Sequence, residues 1–569
     1  MTTNSLRRSF FISGACLALS ASSLALAVPS SAARNSRVSV SSAKVIPSGS
    51  KSAPLVGTVQ LHVSVALQSA APGALSAMAT SVSDPRSGDY RHFLTHEQFV
   101  SQYGASDATV QAVKAYVKAY GLGNVTLSGD HLALSATGTA AQIEAAFATN
   151  LRTFSVNGVT HETNITPASV PSYLGGAVVS VTGLSDLAVA KSNVSYASHA
   201  HAVRAPVSCR DVRINQALSQ GSLTVDDIAN AYHFSYPGLG SQKRIALYEL
   251  SSAPNSDMNA FDHCYGIAPH HRVVEVDGGT TDNSGAIEVL LDEEIASAVS
   301  PASMIDLYTG PNSDSGWIDT YRAIAEANTA SVVSVSWGSC EAIAGPELLD
   351  TENTIFQEMA VQGQSVFVAS GDSGAQGCQR MNNDTSAQAT DPGAQPFVTS
   401  VGGTTLVDPV CTRPSASCEV VWNSGGAAGS GGQSSYFAAP SYQRGLGVSA
   451  REFPDIAADA DPSTGYLIYD KADFYGSYSA WGVIGGTSAS APLEAAFLAD
   501  TLSACSQRVG LINPLLYSAN GTSAFRDITV GSNDTTYTHY NTYNASPGFD
   551  MASGLGSIDW SKFGPLVCH

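Results

Sequence analysis

Gly485-Gly486-Thr487-Ser488-Ala489-Ser490-Ala491-Pro492 runs directly into an apolar stretch of helical length, Leu493 to Leu502. A serine at the start of a helix has its hydroxyl beside unpaired backbone N–H groups and the positive end of the helix dipole. That setting suits a nucleophile and the oxyanion it creates. Serine also caps helices in the ordinary way. A plain cap, however, requires neither two glycines before it nor a run of small residues after it. Ser488 therefore reads as a nucleophile, and the search turns to its partners.

Two other stretches carry suitable chemistry. In Glu288-Val289-Leu290-Leu291-Asp292 the two acids are four apart, so a helix presents both on one face. Like charges so placed resist double ionisation, share a proton and separate their pKa values. Acidic helix positions are usually solvated, but the apolar residues between these two argue for a buried face. A carboxylate base works where it is ionised and the leaving group can still be protonated, which favours acid. The third stretch, Ser370-Gly371-Asp372-Ser373-Gly374, follows the apolar strand Ser365 to Ala369. Its Gly-Asp-Ser-Gly imitates the nucleophile loop of chymotrypsin-like proteases. No histidine stands in the Ala-Ala-His-Cys-like setting those enzymes need, and the surrounding pattern is α/β.

The octapeptide around Ser488 has the form shared by subtilisins and sedolisins. Subtilisins take their base from a His-Gly-Thr context, and none of the 13 histidines is followed by Gly-Thr. Glu288 to Asp292 instead resembles the Glu-x-x-x-Asp motif of the sedolisins, the serine-carboxyl peptidases, and kumamolisin-like proenzymes in particular. The resemblance implies that Glu288 is the general base for Ser488, that Asp292 orients it, and that Asp372 fills the oxyanion position where subtilisins use Asn. A carboxyl group donates to an oxyanion only when protonated, which again ties activity to acid. Some kumamolisin-like members extend the network with a Glu and a Trp, matched here by Glu249 and Trp337. An acid in an edge strand and a core tryptophan would account for these two equally well. Ser336, Trp337 and Gly338 stand where a substrate backbone would add as a strand.

The same resemblance implies one Ca²⁺ ion. Its ligands would be the side chains of Asp527 and Asp550 and the carbonyls of Ile528, Ser546 and Gly548. Hard oxygen donors of this kind suit that ion, although Asx turns in a glycine-rich tail compete as an explanation. Asp89-Tyr90-Arg91-His92-Phe93-Leu94-Thr95 and Tyr103-Gly104 resemble the family's propeptide, so the likeness spans nearly the whole mature chain.

Composition is consistent with this picture. Only 13% of the 569 residues are charged, against roughly 25% in ordinary soluble proteins. Acids outnumber bases 47 to 27, giving a net charge of −20, which argues against nucleic acid as a partner. Near pH ~4 carboxylates lose charge, and a chain poor in Lys and Arg then avoids strong self-repulsion. Arg7 and Arg8 precede an apolar run, Phe10 to Val28, and small residues follow at Ser31, Ala32 and Ala33. That is a cleavable export signal, so the mature chain is expected to be secreted and free of the membrane. Of nine cysteines, Cys16 lies in the signal. The even remainder, Cys209, Cys264, Cys340, Cys378, Cys411, Cys418, Cys505 and Cys568, reads as a disulfide set. Cys411 and Cys418 could close a small loop.

The organisation that follows is a signal over 1–33, an α+β activation prodomain over 34–192, a linker over 193–206 holding the maturation site, and a peptidase domain over 207–569. Strands and helices alternate from Lys243 to Ala369, which predicts a mostly parallel sheet flanked by helices in a subtilisin-like α/β fold. Ala190 to Pro206 lacks periodicity and is expected to be an exposed linker. The tail from Asn513 is expected to be irregular. The expected activity is acid hydrolysis of peptide bonds in protein or peptide substrates by a monomer whose prodomain inhibits it until self-activation. An inactive peptide-binding relative and a non-enzymatic secreted surface protein are the alternatives; the complete set of Ser488, Glu288, Asp292 and Asp372 speaks against both.

Overall fold

The computed structural model describes residues 36–569 except 47–49, 157–158, 188, 197–222, 235–242, 408–417, 475–479, 506 and 537–542. The signal assigned to 1–33, most of the linker, and Cys16, Cys209 and Cys411 lie outside the described residues.

The larger unit is built on a sheet whose parallel strands are ordered His270–Glu275, Met304–Thr309, Arg244–Glu249, Val332–Val335, Ser365–Ala369 and Thr399–Leu406. Glu419–Val421 closes the edge in antiparallel sense, and Ile456–Asp459 also pairs with Thr399–Leu406. Side chains alternate across each strand. Ile245 and Leu247 face one hydrophobic core, while Ala246 and Tyr248 face the other. The first core is covered by helices Ala286–Val299 and Thr487–Cys505, the second by Asp314–Ala327 and Glu341–Val361. The central strands Val332–Val335 and Ser365–Ala369 are buried on both faces, which explains why they are largely apolar, whereas the edge strand His270–Glu275 is polar and mostly exposed. The loops leaving the carboxyl ends of the central strands carry the site, as this topology dictates.

The N-terminal unit packs helices Asp107–Ala119 and Ala140–Phe147 on the sheet formed by Gly123–Leu127, Ala133–Thr139, Gln60–Leu67 and Val178–Thr182. The turn-rich stretch ending at Thr95 leads into helix His96–Tyr103, whose capping box pairs Thr95 with Gln98. This unit meets the larger one through Phe99, Tyr103 and Leu132 against Ala360, Val361 and Leu511. Ion pairs frame the apolar contact: Arg322 with Asp130, His96 with Glu358 at 3.7 Å, and His62 with Asp319 at 3.5 Å.

Two expectations need correction. Residues Ala190 to Tyr196 are not an exposed linker: Asn193, Val194 and Ser195 are buried, because the chain there pairs with strands on both sides. The tail from Asn513 is not wholly irregular, since helices Asn513–Ser518 and Trp560–Val567 pack their apolar residues on the first core. Disulfides join Cys340 to Cys378 and Cys505 to Cys568, and Cys264 and Cys418 are also disulfide-bonded. Among the described residues no helix is long and apolar enough to cross a membrane.

Burial pushes many carboxyl groups up: Glu288 and Glu494 to about 8, Asp314 to about 7 and Asp391 to about 6. The folded chain then holds protons that the unfolded chain releases near its reference pKa of about 4, so the stability these groups contribute is lost as pH rises through the folded values. The thermal midpoint of the Ser488→Ala protein should therefore fall between about pH 5 and about pH 8. A rise over that interval would mean these groups are ionised in the fold.

Candidate active site

Ser488 is the second residue of helix Thr487–Cys505 and is fully buried. Gly486 enters the helix at φ +105, and a Cβ there would lie 2.1 Å from the Asn193 carbonyl oxygen and 2.7 Å from Asp372 Oδ2. Both the backbone conformation and the crowding demand glycine at that position.

Glu288 and Asp292 project from helix Ala286–Val299, which packs against the Ser488 helix, and both are fully buried. Ser488 and Ser192 lie close enough to the Glu288 carboxyl to favour its ionised form. Yet neither Ser488 Oγ nor either Glu288 oxygen makes a hydrogen bond of good geometry in this covered arrangement. Catalytic hydrogen bonds commonly tighten only around the reacting complex. Asp292 Oδ1 accepts a hydrogen bond from Ser336 Oγ at 2.8 Å, and Glu249 Oε2 accepts one from Trp337 Nε1 at 2.9 Å.

Glu249 is not in an edge strand: Arg244–Glu249 lies between Met304–Thr309 and Val332–Val335. Burial raises Glu249 and Asp292 well above the carboxylate range, each reinforced by neighbouring acids. The hydroxyls of Ser488 and Ser192 and the charge of Arg380 oppose the rise at Glu288. Glu288 is therefore the member that gives up its proton first when the cluster ionises. Trp337 packs its ring where a Gly285 Cβ would sit, only 2.5 Å from Cη2, so glycine at the helix entrance seats the tryptophan.

Asp372 is buried at the end of strand Ser365–Ala369. Its Oδ1 accepts from Thr487 N–H at 2.8 Å and Thr487 Oγ1 at 2.9 Å. Its Oδ2 accepts from Ser195 Oγ and faces Arg380 Nη1 at 3.4 Å. Burial raises its pKa, and Arg380 is the largest influence in the opposite direction. Ser336, Trp337 and Gly338 line the edge that Lys191 and Ser192 use, pairing antiparallel with Gly338 and Trp337.

The residues matched to a cation site come together apart from this cleft. Asp550 Oδ1 accepts from Ala552 N–H and Ser553 N–H, both at 2.9 Å, and Oδ2 from Ser546 N–H at 2.8 Å. Asp527 Oδ2 accepts from Gly548 N–H at 3.0 Å, while Asp527 Oδ1 is buried without a partner among the described residues. That orphaned oxygen, a second carboxylate and the adjoining carbonyls of Ile528, Ser546 and Gly548 form a donor set that fits a hard cation.

Sequence reasoning missed Arg380 and Thr487. Arg380 sits in the short helix Gln379–Asn382, where no motif or periodicity marks it. Thr487 was legible as part of the octapeptide, but its double contact with Asp372 depends on tertiary placement.

A buried serine at a helix start beside buried carboxyl groups, on a subtilisin-like sheet covered by an N-terminal α+β unit, points to the class of serine peptidases made with a prodomain. Residues 48–187 match the family described as Pro-kumamolisin, activation domain, and residues 276–514 match the subtilase family. Kumamolisin of Bacillus sp. (strain MN-32) is 31% identical over 490 residues, covering 82% of this chain and 84% of that protein. Sedolisin of Pseudomonas sp. (strain 101) is 30% identical over 548 residues, covering 89% and 87%. A tripeptidyl-peptidase of Aspergillus fumigatus is 26% identical over 586 residues, covering 90% and 92%. The solved structure of Pseudomonas sedolisin, a serine-carboxyl proteinase complexed with two molecules of pseudo-iodotyrostatin, superposes with TM-score 0.53 at 27% identity, covering 61% of this chain and 98% of that one. The chain belongs to the sedolisin family and is a serine-type peptidase.

Arg380 lowers the pKa of both Asp372 and Glu288. Arg380→Met should therefore move both limbs of the pH–activity profile of the mature enzyme upward. An unmoved profile, or a downward shift, would show that Arg380 does not act on these groups.

Proposed function

We propose that this chain is a secreted, acid-acting serine-carboxyl peptidase that is made as a self-activating zymogen. The observation that carries the reading is the convergence of Ser488, Glu288, Asp292 and Asp372, from three separate stretches of sequence, on one buried site. Ser488 Oγ attacks the peptide carbonyl as Glu288 takes its proton. Asp292, held by Ser336, keeps Glu288 oriented and shares its proton load. Protonated Asp372 and the Ser488 N–H donate to the tetrahedral oxyanion, and Glu288 then protonates the leaving amine. Glu249 and Trp337 extend the carboxyl network behind Asp292, and Ser336 to Gly338 pair with the substrate backbone.

The division into signal 1–33, prodomain 34–192, linker 193–206 and peptidase domain 207–569 belongs to the same reading, as do export and a monomeric mature enzyme. The docked N-terminal unit, whose last strand occupies the substrate edge, supports its role as intramolecular inhibitor. The −20 charge supports protein or peptide substrates over nucleic acid.

Shifting the purified proprotein from pH ~7 to pH ~4, into the carboxylate range, should release a prodomain-sized fragment and switch on digestion of a denatured protein. Ser488→Ala should show neither. Proteolysis that survives in Ser488→Ala, or that peaks near neutral pH, would overturn the mechanism.

Asp527, Asp550 and the carbonyls of Ile528, Ser546 and Gly548 would hold one Ca²⁺ ion. Bound there it would tie the 527–528 loop to the 546–550 loop and neutralise two carboxylates, a structural rather than chemical contribution. Chelation should lower the thermal midpoint of the wild-type protein and leave that of Asp527→Ala unchanged. An equal response in both would place the ion elsewhere.

A further inference from the structure

The segment Ala190 to Tyr196 leaves the prodomain and crosses directly over Ser488. On one side of the nucleophile Lys191 and Ser192 pair antiparallel with Gly338 and Trp337. Asn193 extends that ladder, its backbone N–H donating to the Ser336 carbonyl at 3.2 Å and its Nδ2 to the same oxygen at 3.0 Å. On the other side Ser195 and Tyr196 pair antiparallel with Gly485 and Ile484. The Tyr196 hydroxyl anchors that end on Asp473 at 2.7 Å.

Between the ladders, the Asn193 carbonyl oxygen accepts from the backbone N–H of Ser488 at 3.3 Å. The same oxygen and Asp372 Oδ2 both crowd the space above Gly486, which places Asn193 oxygen at the oxyanion position. A chain gripped as an added strand on both sides of a nucleophile, with one carbonyl on its oxyanion donor, is held as a substrate is held. The bond following that carbonyl joins Asn193 to Val194.

Resting on the peptidase reading above, we propose that the activating self-cleavage breaks the Asn193–Val194 bond, with Ser195 acting as a latch on Asp372 until the medium is acid. Ser488 Oγ bonds to the Asn193 carbonyl carbon and its proton passes to Glu288. The C–N bond breaks, and Glu288 returns that proton to the Val194 nitrogen, freeing an N-terminal amine. Water then adds its oxygen to the Asn193 acyl carbon and gives a proton through Glu288 to Ser488 Oγ. The products are an Asn193 carboxyl group and a Val194 amine, with one water consumed.

The latch follows from the hydrogen bonds at Asp372. Thr487 N–H, Thr487 Oγ1 and Ser195 Oγ all donate to it and Arg380 faces it, so in the uncut chain it is an acceptor with no proton to give. The charged and titratable groups facing it are Arg380 and Glu288. Arg380 favours the acceptor form, and the charge of Asp372 in turn helps keep Glu288 protonated. Protonation of Asp372 would displace the Ser195 hydroxyl, free a donor for the Asn193 oxygen and commit the bond to cleavage.

The test uses the full-length proprotein, diluted, shifted to acid and quenched at early times, with intact mass and N-terminal sequencing of the first products. A fragment ending at Asn193 and one beginning at Val194 are expected, at a rate independent of protein concentration. Ser195→Ala should process at higher pH than the wild type; an unmoved threshold would overturn the latch. A first cut elsewhere, in protein whose acid proteolysis still depends on Ser488, would overturn the bond assignment and leave the peptidase reading standing. No Ser488-dependent proteolysis would overturn both.

Discussion

A carboxylate cannot be taken out of water without a partner except at a cost of several kcal/mol, and it escapes that cost by keeping its proton. Helix Ala286–Val299 buries four acids completely: Glu288, Asp292, Glu293 and Glu294. Each is managed differently. Glu293 faces His271 Nδ1 at 2.9 Å, forming a pair with a compensating charge. Glu294 accepts from Tyr469 N–H at 2.9 Å, and Asp292 from Ser336. Glu288 has no settled partner and looks toward Ser488. The least satisfied acid on the helix is thus the one beside Ser488, where the proposed mechanism needs a base. Stability in acid follows from the same constraint, because a helix carrying these groups is at ease only where most of them stay neutral.

The prodomain interface repeats this at larger scale. The catalytic unit offers Asp319, Glu358 and Arg322, and the N-terminal unit answers with His62, His96 and Asp130 around an apolar centre. His62, His96 and Glu358 are all raised above their ordinary values, so the docked state holds their protons and the two histidine contacts weaken as pH rises. The apolar centre does not respond to pH in that way.

The reactive motifs were the most legible part of the sequence, because each couples a local backbone requirement to a side chain. The two glycines before Ser488 mark a backbone that a plain helix cap does not need, although the crowding that demands Gly486 comes from Asn193 and Asp372, and the i,i+4 spacing of Glu288 and Asp292 fixes a shared face before any tertiary contact exists. The parallel sheet was legible for a similar reason: strands such as Ser365–Ala369 are buried on both faces and carry no polar alternation. What the sequence concealed depends on distant partners. Ala190 to Tyr196 looks like a featureless linker because strand pairing is carried by backbone groups, and its pairs at Gly338 and Gly485 lie far along the chain. Arg380 matters only because the fold brings it to Asp372. Glu249 read equally well as an edge acid or a network member until the sheet order placed its strand in the middle.

The central claim is that Ser488 is a nucleophile whose oxyanion is received by Asp372 and the Ser488 N–H. Its most direct test is a crystal structure of the acid-matured enzyme with a peptide aldehyde, which mimics the tetrahedral intermediate. The account predicts a bond from the aldehyde carbon to Ser488 Oγ, with the resulting oxygen against Asp372 and the Ser488 N–H and the Glu288 carboxyl drawn onto Ser488 Oγ. An aldehyde bound to another side chain, or an adduct oxygen turned away from Asp372, would contradict it.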